Sequence, residues 1–299
     1  MLSAILVVTL VVADLDSTRS AYVDWLDYRL VAQGSIPKEL AATWAAPSAA
    51  GSRYALLQPS SGAEAWLRVI ERPHAAGYRA MHSTGWTANE ILVEDPVDLT
   101  ARFAKPDSPF EVVGPPAPLG SNGKVIAMQA MGPAGELNYF TRIPPEGGTF
   151  IKTPAASRVD RTFIAVAGGR SLAAMRAFYR DVLGMTALDP YPSAVQVVNH
   201  ARGLPANYTM QISVVPISRA SILELDEYPR DTQDRVTPTG DLPAGMAMVS
   251  FIVDTLDTRS LQWRSPPQVQ HERPYAGRRA GVVVGAAGEW IELVERAPP

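Results

Sequence analysis

Two spacings of apolar residues, one every second position and one every third to fourth, take turns along this chain. An apolar run over 5–12 predicts a buried strand, Asp16 or Ser17 offers a helix N-cap, and Tyr22, Trp25 and Leu26 then recur at helical spacing. Less regular segments follow, and strands are predicted over 52–58 and 64–71. A second unit opens with a strand over 86–95, continues through a short helix over 99–105 and closes with a strand over 136–142. A Pro/Gly-rich joint spans 144–160. The third unit has a strand over 161–167, then a helix whose stripe is Leu172, Met175, Phe178, Val182 and Leu183, stopped by Gly184. Further strands are predicted over 195–199, 208–215 and 221–227. After a polar loop over 229–243, the fourth unit runs from a strand over 246–254 to a closing strand over 288–295.

These closing strands repeat. Residues 64–71, 135–142, 220–227 and 288–295 align, and their fifth positions hold Arg68, Tyr139, Glu224 and Glu292. The turn Gly132-Pro-Ala-Gly135 matches Gly285-Ala-Ala-Gly288, an offset of 153 residues. Repetition at a fixed offset indicates duplicated units. The expected architecture is α+β: two tandem domains, 1–145 and 158–297, each a pair of β-α-β-β-β units with helices outside a curved, mostly antiparallel sheet.

Composition narrows the partners. The net charge of -3 comes without a basic run, which gives no electrostatic footprint for nucleic acid or an anionic membrane. The absence of cysteine excludes disulfides, thiolate nucleophiles and Cys-ligated metals. The opening apolar run has no basic residue before it and is too short to span a bilayer, so it reads as a buried strand of a cytoplasmic protein. No phosphate-cradling loop, nucleophile elbow or dinucleotide fingerprint occurs; no cofactor is expected, and the expected partner is a small molecule. A homodimer is compatible with the sequence but not required to complete a site.

The openings Val-Val-Ala-Asp14-Leu, Phe178-Tyr-Arg-Asp-Val-Leu-Gly-Met185 and Gly288-Glu-Trp-Ile-Glu-Leu-Val resemble the vicinal oxygen chelate superfamily, which includes glyoxalase I, extradiol dioxygenases, methylmalonyl-CoA epimerase and bleomycin-resistance proteins. The resemblance implies that paired units curl around a cavity with functional side chains on the concave face. It also implies where metal ligands stand in metal-using members: a first-strand histidine and the fifth-position glutamate of the closing strand. The first-strand positions here are Val7, Ala88, Arg161 or Thr162, and Met248, none of them histidine. Two carboxylates without imidazole or thiolate make a poor transition-metal site. No metal is therefore expected, the alternative being Glu292 with a loop histidine, best His200.

By alternation, Val8, Leu10, Val12, Ile91, Val93, Val249, Phe251 and Val253 should face the helices, leaving Thr9, Glu90, Arg161, Phe163 and Ser250 concave. The expected catalytic set is Glu292 as base, Glu224 as acid or orienter, and Arg161 as partner of an oxyanion or carboxylate. Glutamates sharing an apolar cavity raise one another's pKa. The alternative is a buried Arg161–Glu224 ion pair. In the N-terminal half an Arg68–Glu90 bridge capped by Tyr139 is expected. Trp290, Phe163, Met248, His200, Tyr139, Arg68 and Glu90 complete the expected substrate-binding set. The implied activity is that of a metal-independent lyase or isomerase acting on a bulky, aromatic, carboxylate- or carbonyl-bearing molecule. The alternatives are a non-catalytic drug or metabolite binder and a metal-dependent glyoxalase- or dioxygenase-type enzyme.

Overall fold

A computed structural model describes residues 1–119, 123–257 and 261–297. The first unit comprises β1 (Leu2–Val12), α1 (Leu15–Leu26), β2 (Arg29–Ser35), α2 (Lys38–Thr43), β3 (Arg53–Gln58) and β4 (Trp66–Glu71). The second is β5 (Gly85–Val93), α3 (Pro96–Phe103), β6 (Glu111–Leu119), β7 (Val125–Met131) and β8 (Leu137–Arg142). The third is β9 (Val159–Gly169), α4 (Leu172–Asp181), β10 (Tyr191–Ser193), α5 (Gln196–Ala201), β11 (Met210–Pro216) and β12 (Ile222–Glu227). The fourth is β13 (Gly245–Val253), β14 (Gln268–Gln270), β15 (Arg278–Val284) and β16 (Trp290–Glu295).

Helix starts follow local chemistry. Asp14 caps α1 by accepting from the Ser17 amide at 2.9 Å, where the sequence suggests Asp16 or Ser17, a little further along the chain. Ser171 caps α4, whose Leu172, Met175 and Tyr179 are buried. The segment predicted as a strand over 195–199 is instead the start of α5. Its valines, Val197 and Val198, enter the concave core as a helical pair, so the β-propensity of that short run yields to tertiary packing.

Within every unit the first strand lies parallel to the last: β1 to β4, β5 to β8, β9 to β12 and β13 to β16. Units join through antiparallel first strands, β1 with β13 and β5 with β9. The result is two curled eight-stranded sheets, β14-β15-β16-β13-β1-β4-β3-β2 and β10-β11-β12-β9-β5-β8-β7-β6. Unit 1 thus pairs with unit 4, and unit 2 with unit 3. The division at 1–145 and 158–297 drawn from the repeat cuts across both sheets, because similar units offer similar edges and the repeat does not say which edges meet. The chain crosses between sheets along 72–84 and back along 228–244, and these crossings touch where Ser83 bridges Gln233.

A single apolar core joins the convex faces. Val8, Leu10, Val12, Val249, Phe251 and Val253 from one sheet meet Ile91, Val93, Phe140 and Ala165 from the other, with α1, α3 and α4 side chains between them. The expected helix-facing set is therefore the set found. Polar ties cross this core. The Trp86 indole donates to the Trp290 carbonyl at 2.7 Å, and Tyr28 donates to the Asp160 carbonyl at 2.8 Å.

The repeated glycine turns also acquire a reason. Glu136 accepts from the Ala134 amide and from Tyr22, and Glu289 accepts from the Ala287 amide and from Tyr179. Each carboxyl folds back over the glycine that opens its turn: a Cβ on Gly132 would lie 1.9 Å from Glu136 Oε1, and one on Gly285 would lie 2.0 Å from Glu289 Oε1. An alanine there must push the carboxyl off its donors. Gly285→Ala is expected to cost about 1–3 kcal/mol, the penalty for stranding buried polar groups. Chemical denaturation checks this, and an unchanged midpoint would contradict the turn's role.

Candidate active site

The concave faces of the two sheets differ in kind. In the first half-barrel, Glu292 is fully buried on β16. Its Oε1 accepts from the Trp44 indole at 2.7 Å and from the Tyr275 hydroxyl at 2.8 Å, while Ser250 donates to Oε2. Tyr275 in turn accepts from Arg68 Nη2 at 2.9 Å, and the Arg68 guanidinium lies over the Trp44 and Tyr275 rings at 5.1 and 5.2 Å. Thr9 is the remaining polar neighbour of Arg68, at 3.5 Å. The sequence 36–52, carrying α2 and Trp44, fills this concave face together with Met248, Trp290, Ile252 and Val294. Arg264 closes over Trp290 with its guanidinium 3.7 Å from the ring.

Glu292, Ser250, Thr9 and Arg68 thus occupy the concave positions that alternation assigns them. They form a polar knot buried beneath the plug. The expected Arg68–Glu90 bridge does not form, because these residues belong to different sheets. For the same reason Glu292 and Glu224 do not share a cavity.

The second half-barrel is open. A cavity of about 320 Å³ is lined by Glu90, Thr141, Phe163, Ile164, Ile222 and Glu224, with a rim that includes Leu119, Val125, Ile143, Phe150 and Ile151. Glu90 is on β5, opposite Tyr139 on β8, and accepts from the Thr141 hydroxyl at 2.5 Å. Burial pushes the Glu90 carboxyl up to about 8; the Glu224 charge adds to this and the Thr141 bond opposes it. Glu224 and Asp226 share one face of β12, and burial raises both carboxyls. Asp226 is 2% exposed, with one carboxyl oxygen lacking a hydrogen-bond partner among the described residues. Burial also raises Tyr139, and raises Tyr191 to about 12, with the Glu224 and Asp226 charges adding to both.

Arg161 is not part of this set. It bonds to Asp160 at 3.1 Å and to Thr153 at 2.5 Å, so neither an Arg161–Glu224 ion pair nor an arginine clamp in the cavity is formed. Phe163 lines the cavity as expected, whereas Trp290 and Met248 are core of the plugged half. His200 is exposed on α5 and lines a separate groove with Tyr78, Met81 and His82. Arg279 is paired with Asp257 and Glu295, and Arg278 donates to the Tyr275 carbonyl. Sequence reasoning missed Trp44, Tyr275 as the link between Arg68 and Glu292, and Asp226. Asp226 was legible in principle, since it stands two residues from Glu224 and therefore on the same strand face.

The metal implied by the fold family does not fit either face. Glu292 is turned toward three N–H and O–H donors, with the Arg68 cation behind them, so its lone pairs are already directed at protons. The second face offers carboxyls without imidazole, and among the described residues no group of three His, Asp or Glu side chains is arranged to hold a metal ion.

The chain has the vicinal oxygen chelate fold, with four repeated units in one polypeptide, the fourth carrying no helix among the described residues. It is similar to glyoxalase I from Zea mays, with 15% identity, 97% of this chain and 92% of that chain covered and a TM-score of 0.62. It is also similar to the cppA protein from Streptococcus pneumoniae TIGR4, with 13% identity, 99% of both chains covered and a TM-score of 0.51. No protein-family model and no curated protein matches the sequence. No helix among the described residues is long and apolar enough to cross a membrane.

The buried carboxyls make stability pH-dependent. Burial lifts Glu136 and Glu289 to about 7 and Glu90 to about 8. A carboxyl whose folded pKa exceeds its unfolded value holds its proton more tightly when folded, so stability is highest below the unfolded pKa and falls as pH rises through the folded one. Once ionised, Glu136 and Glu289 each oppose folding by roughly 3 kcal/mol and Glu90 by roughly 5 kcal/mol. Glu295, held down at about 2 by Arg279, changes stability only at lower pH. The unfolding temperature should therefore fall from pH 5 to pH 8, and Glu136→Gln combined with Glu289→Gln should flatten the decline. A melting temperature that rises over this interval would overturn the assignment.

Proposed function

We propose that this protein is an acid/base enzyme of the lyase or isomerase type, and that its reaction takes place in the second half-barrel. The observation that carries the proposal is the placement of Glu90 and Glu224 on one apolar cavity, with Glu90 tuned close to neutrality. A neutral Glu90 carboxyl donates a hydrogen bond to a substrate carbonyl oxygen, and an ionised Glu224 takes the proton from the adjacent carbon. As charge grows on that oxygen the Glu90 bond strengthens, which lowers the barrier without a metal. The proton then returns to another carbon, or a leaving group departs. Thr141 orients Glu90, and Phe163, Phe150 and the aliphatic rim hold the apolar body of the substrate and exclude water.

The substrate is assigned as a bulky carbonyl compound rather than a carboxylate, because Arg161 is directed at Asp160 and Thr153. A panel of aryl and cyclic ketones in deuterated water tests this by NMR, through loss of the proton signal next to the carbonyl. Exchange that needs Glu224 supports the reading. Tight ketone binding with no exchange would instead identify a binding protein.

A further inference from the structure

The cavity is lined by carboxyls without a matching cation. Among its described lining residues there is no Lys, Arg or His, while Glu90 and Glu224 contribute carboxyls. The nearby cations are engaged elsewhere: Lys124 with Glu146, Lys152 with the Gly148 carbonyl, and Arg161 with Asp160. Two residues from Glu224 on the same face of β12 stands Asp226, outside the cavity lining itself, nearly fully buried, within hydrogen-bonding reach of Glu224 and with an Oδ1 that has no hydrogen-bond partner among the described residues. A buried acceptor without a donor costs about 1–3 kcal/mol. Donors brought by a ligand would remove that cost.

We infer that the second half-barrel takes an apolar small molecule carrying a protonated amine, with its ammonium group on the Glu224/Asp226 carboxyl pair and its apolar body along Phe163, Ile164 and Ile222. This rests on the reading of the cavity as the working site and names its ligand class. An ammonium has several N–H donors and a compact charge, which suits two adjacent carboxyls. The Phe163 ring in the cavity lining adds a π surface compatible with a cation. A carboxylate ligand would meet like charge here with nothing to offset it. The ammonium also keeps Glu224 ionised, the state that proton abstraction needs. Glu90, Tyr139, Tyr191 and Tyr228 are titratable groups that also surround the pair.

The test uses three matched probes, 3-phenylpropylamine, 3-phenylpropanol and 3-phenylpropionate, with the full chain at pH 7.5 by calorimetry. The amine should bind at least about tenfold more tightly than the alcohol, corresponding to about 1.4 kcal/mol, and the carboxylate should bind least. Amine binding should release protons, read as a dependence of the heat on buffer ionisation enthalpy. Asp226→Asn should reduce the amine preference to under about threefold while alcohol binding is kept, which separates lost recognition from lost folding. An alcohol or carboxylate that binds as well as the amine, or no amine binding at millimolar concentration, would overturn the inference. Ketone exchange retained in Asp226→Asn without any amine preference in the wild type would remove only the ligand class. Amine preference without ketone exchange would remove the proton-transfer reading instead.

Discussion

Glu292→Gln is expected to lower the melting temperature by roughly 10 °C, at about 2–4 °C per kcal/mol for chains of this size, while leaving proton exchange in the other half-barrel unchanged. Glu292 collects donors from Trp44, Tyr275 and Ser250, and Tyr275 relays the positive charge of Arg68 toward it. Glutamine keeps the volume but removes the only carboxylate in this knot and sets an NH₂ against groups that are themselves donors. The serine hydroxyl can turn to accept; the indole N–H cannot. Arg68, 1% exposed, is left without its counter-charge. Removing one partner of a buried charged pair costs about 3–5 kcal/mol. Replacing both, as in Arg68→Met with Glu292→Leu, should recover much of the loss, because apolar groups of similar volume need no partners. Thermal denaturation of the single and double variants checks the claim. A single variant that melts like the wild type, or one that loses ketone exchange while melting normally, would return Glu292 to the list of reacting groups.

In the open half-barrel, Glu224→Gln should lower ketone exchange by about 10²–10⁴-fold, the usual contribution of a positioned general base. Ketone affinity should change little, because the apolar lining is untouched. The pH profile carries a second signature. Glu90 must be protonated to donate, so the rate should fall as pH rises past about 8, the value to which burial lifts it. Glu90→Gln keeps a donor without a titrating proton and should remove that alkaline limb. Exchange that persists in Glu224→Gln, or an alkaline limb that survives in Glu90→Gln, would separate the chemistry from these residues.

The repeat and the alternation made much of this legible before any coordinates. Val8, Leu10, Val12, Val249, Phe251 and Val253 were assignable to the helix side because a strand with one apolar face has one stable orientation. The same rule placed Thr9, Glu90, Ser250 and Glu292 on concave faces, correctly. It said nothing of what covers those faces. Trp44 sits in an alanine-rich stretch without strand or helix periodicity, and only the tertiary structure shows its indole on Glu292. Arg161 failed for a related reason: alternation gives a side of the sheet, and a long flexible side chain then goes to the strongest nearby acceptor, here Asp160.

The sequence by itself determined the unit, its repetition, the two-sided character of each strand, and the absence of a histidine where a metal would draw one. Local periodicity and residue chemistry are sufficient for those, since each depends on neighbours within one strand or one turn. Only the tertiary structure decided which units pair. Unit 1 closes with unit 4 and unit 2 with unit 3, so Tyr275 links Arg68 to Glu292 while Glu90 and Glu224 line one cavity. Equivalent edges have nearly equal affinity for one another in sequence terms. The choice among them rests on how the convex faces bury their apolar residues together, a property of the whole chain.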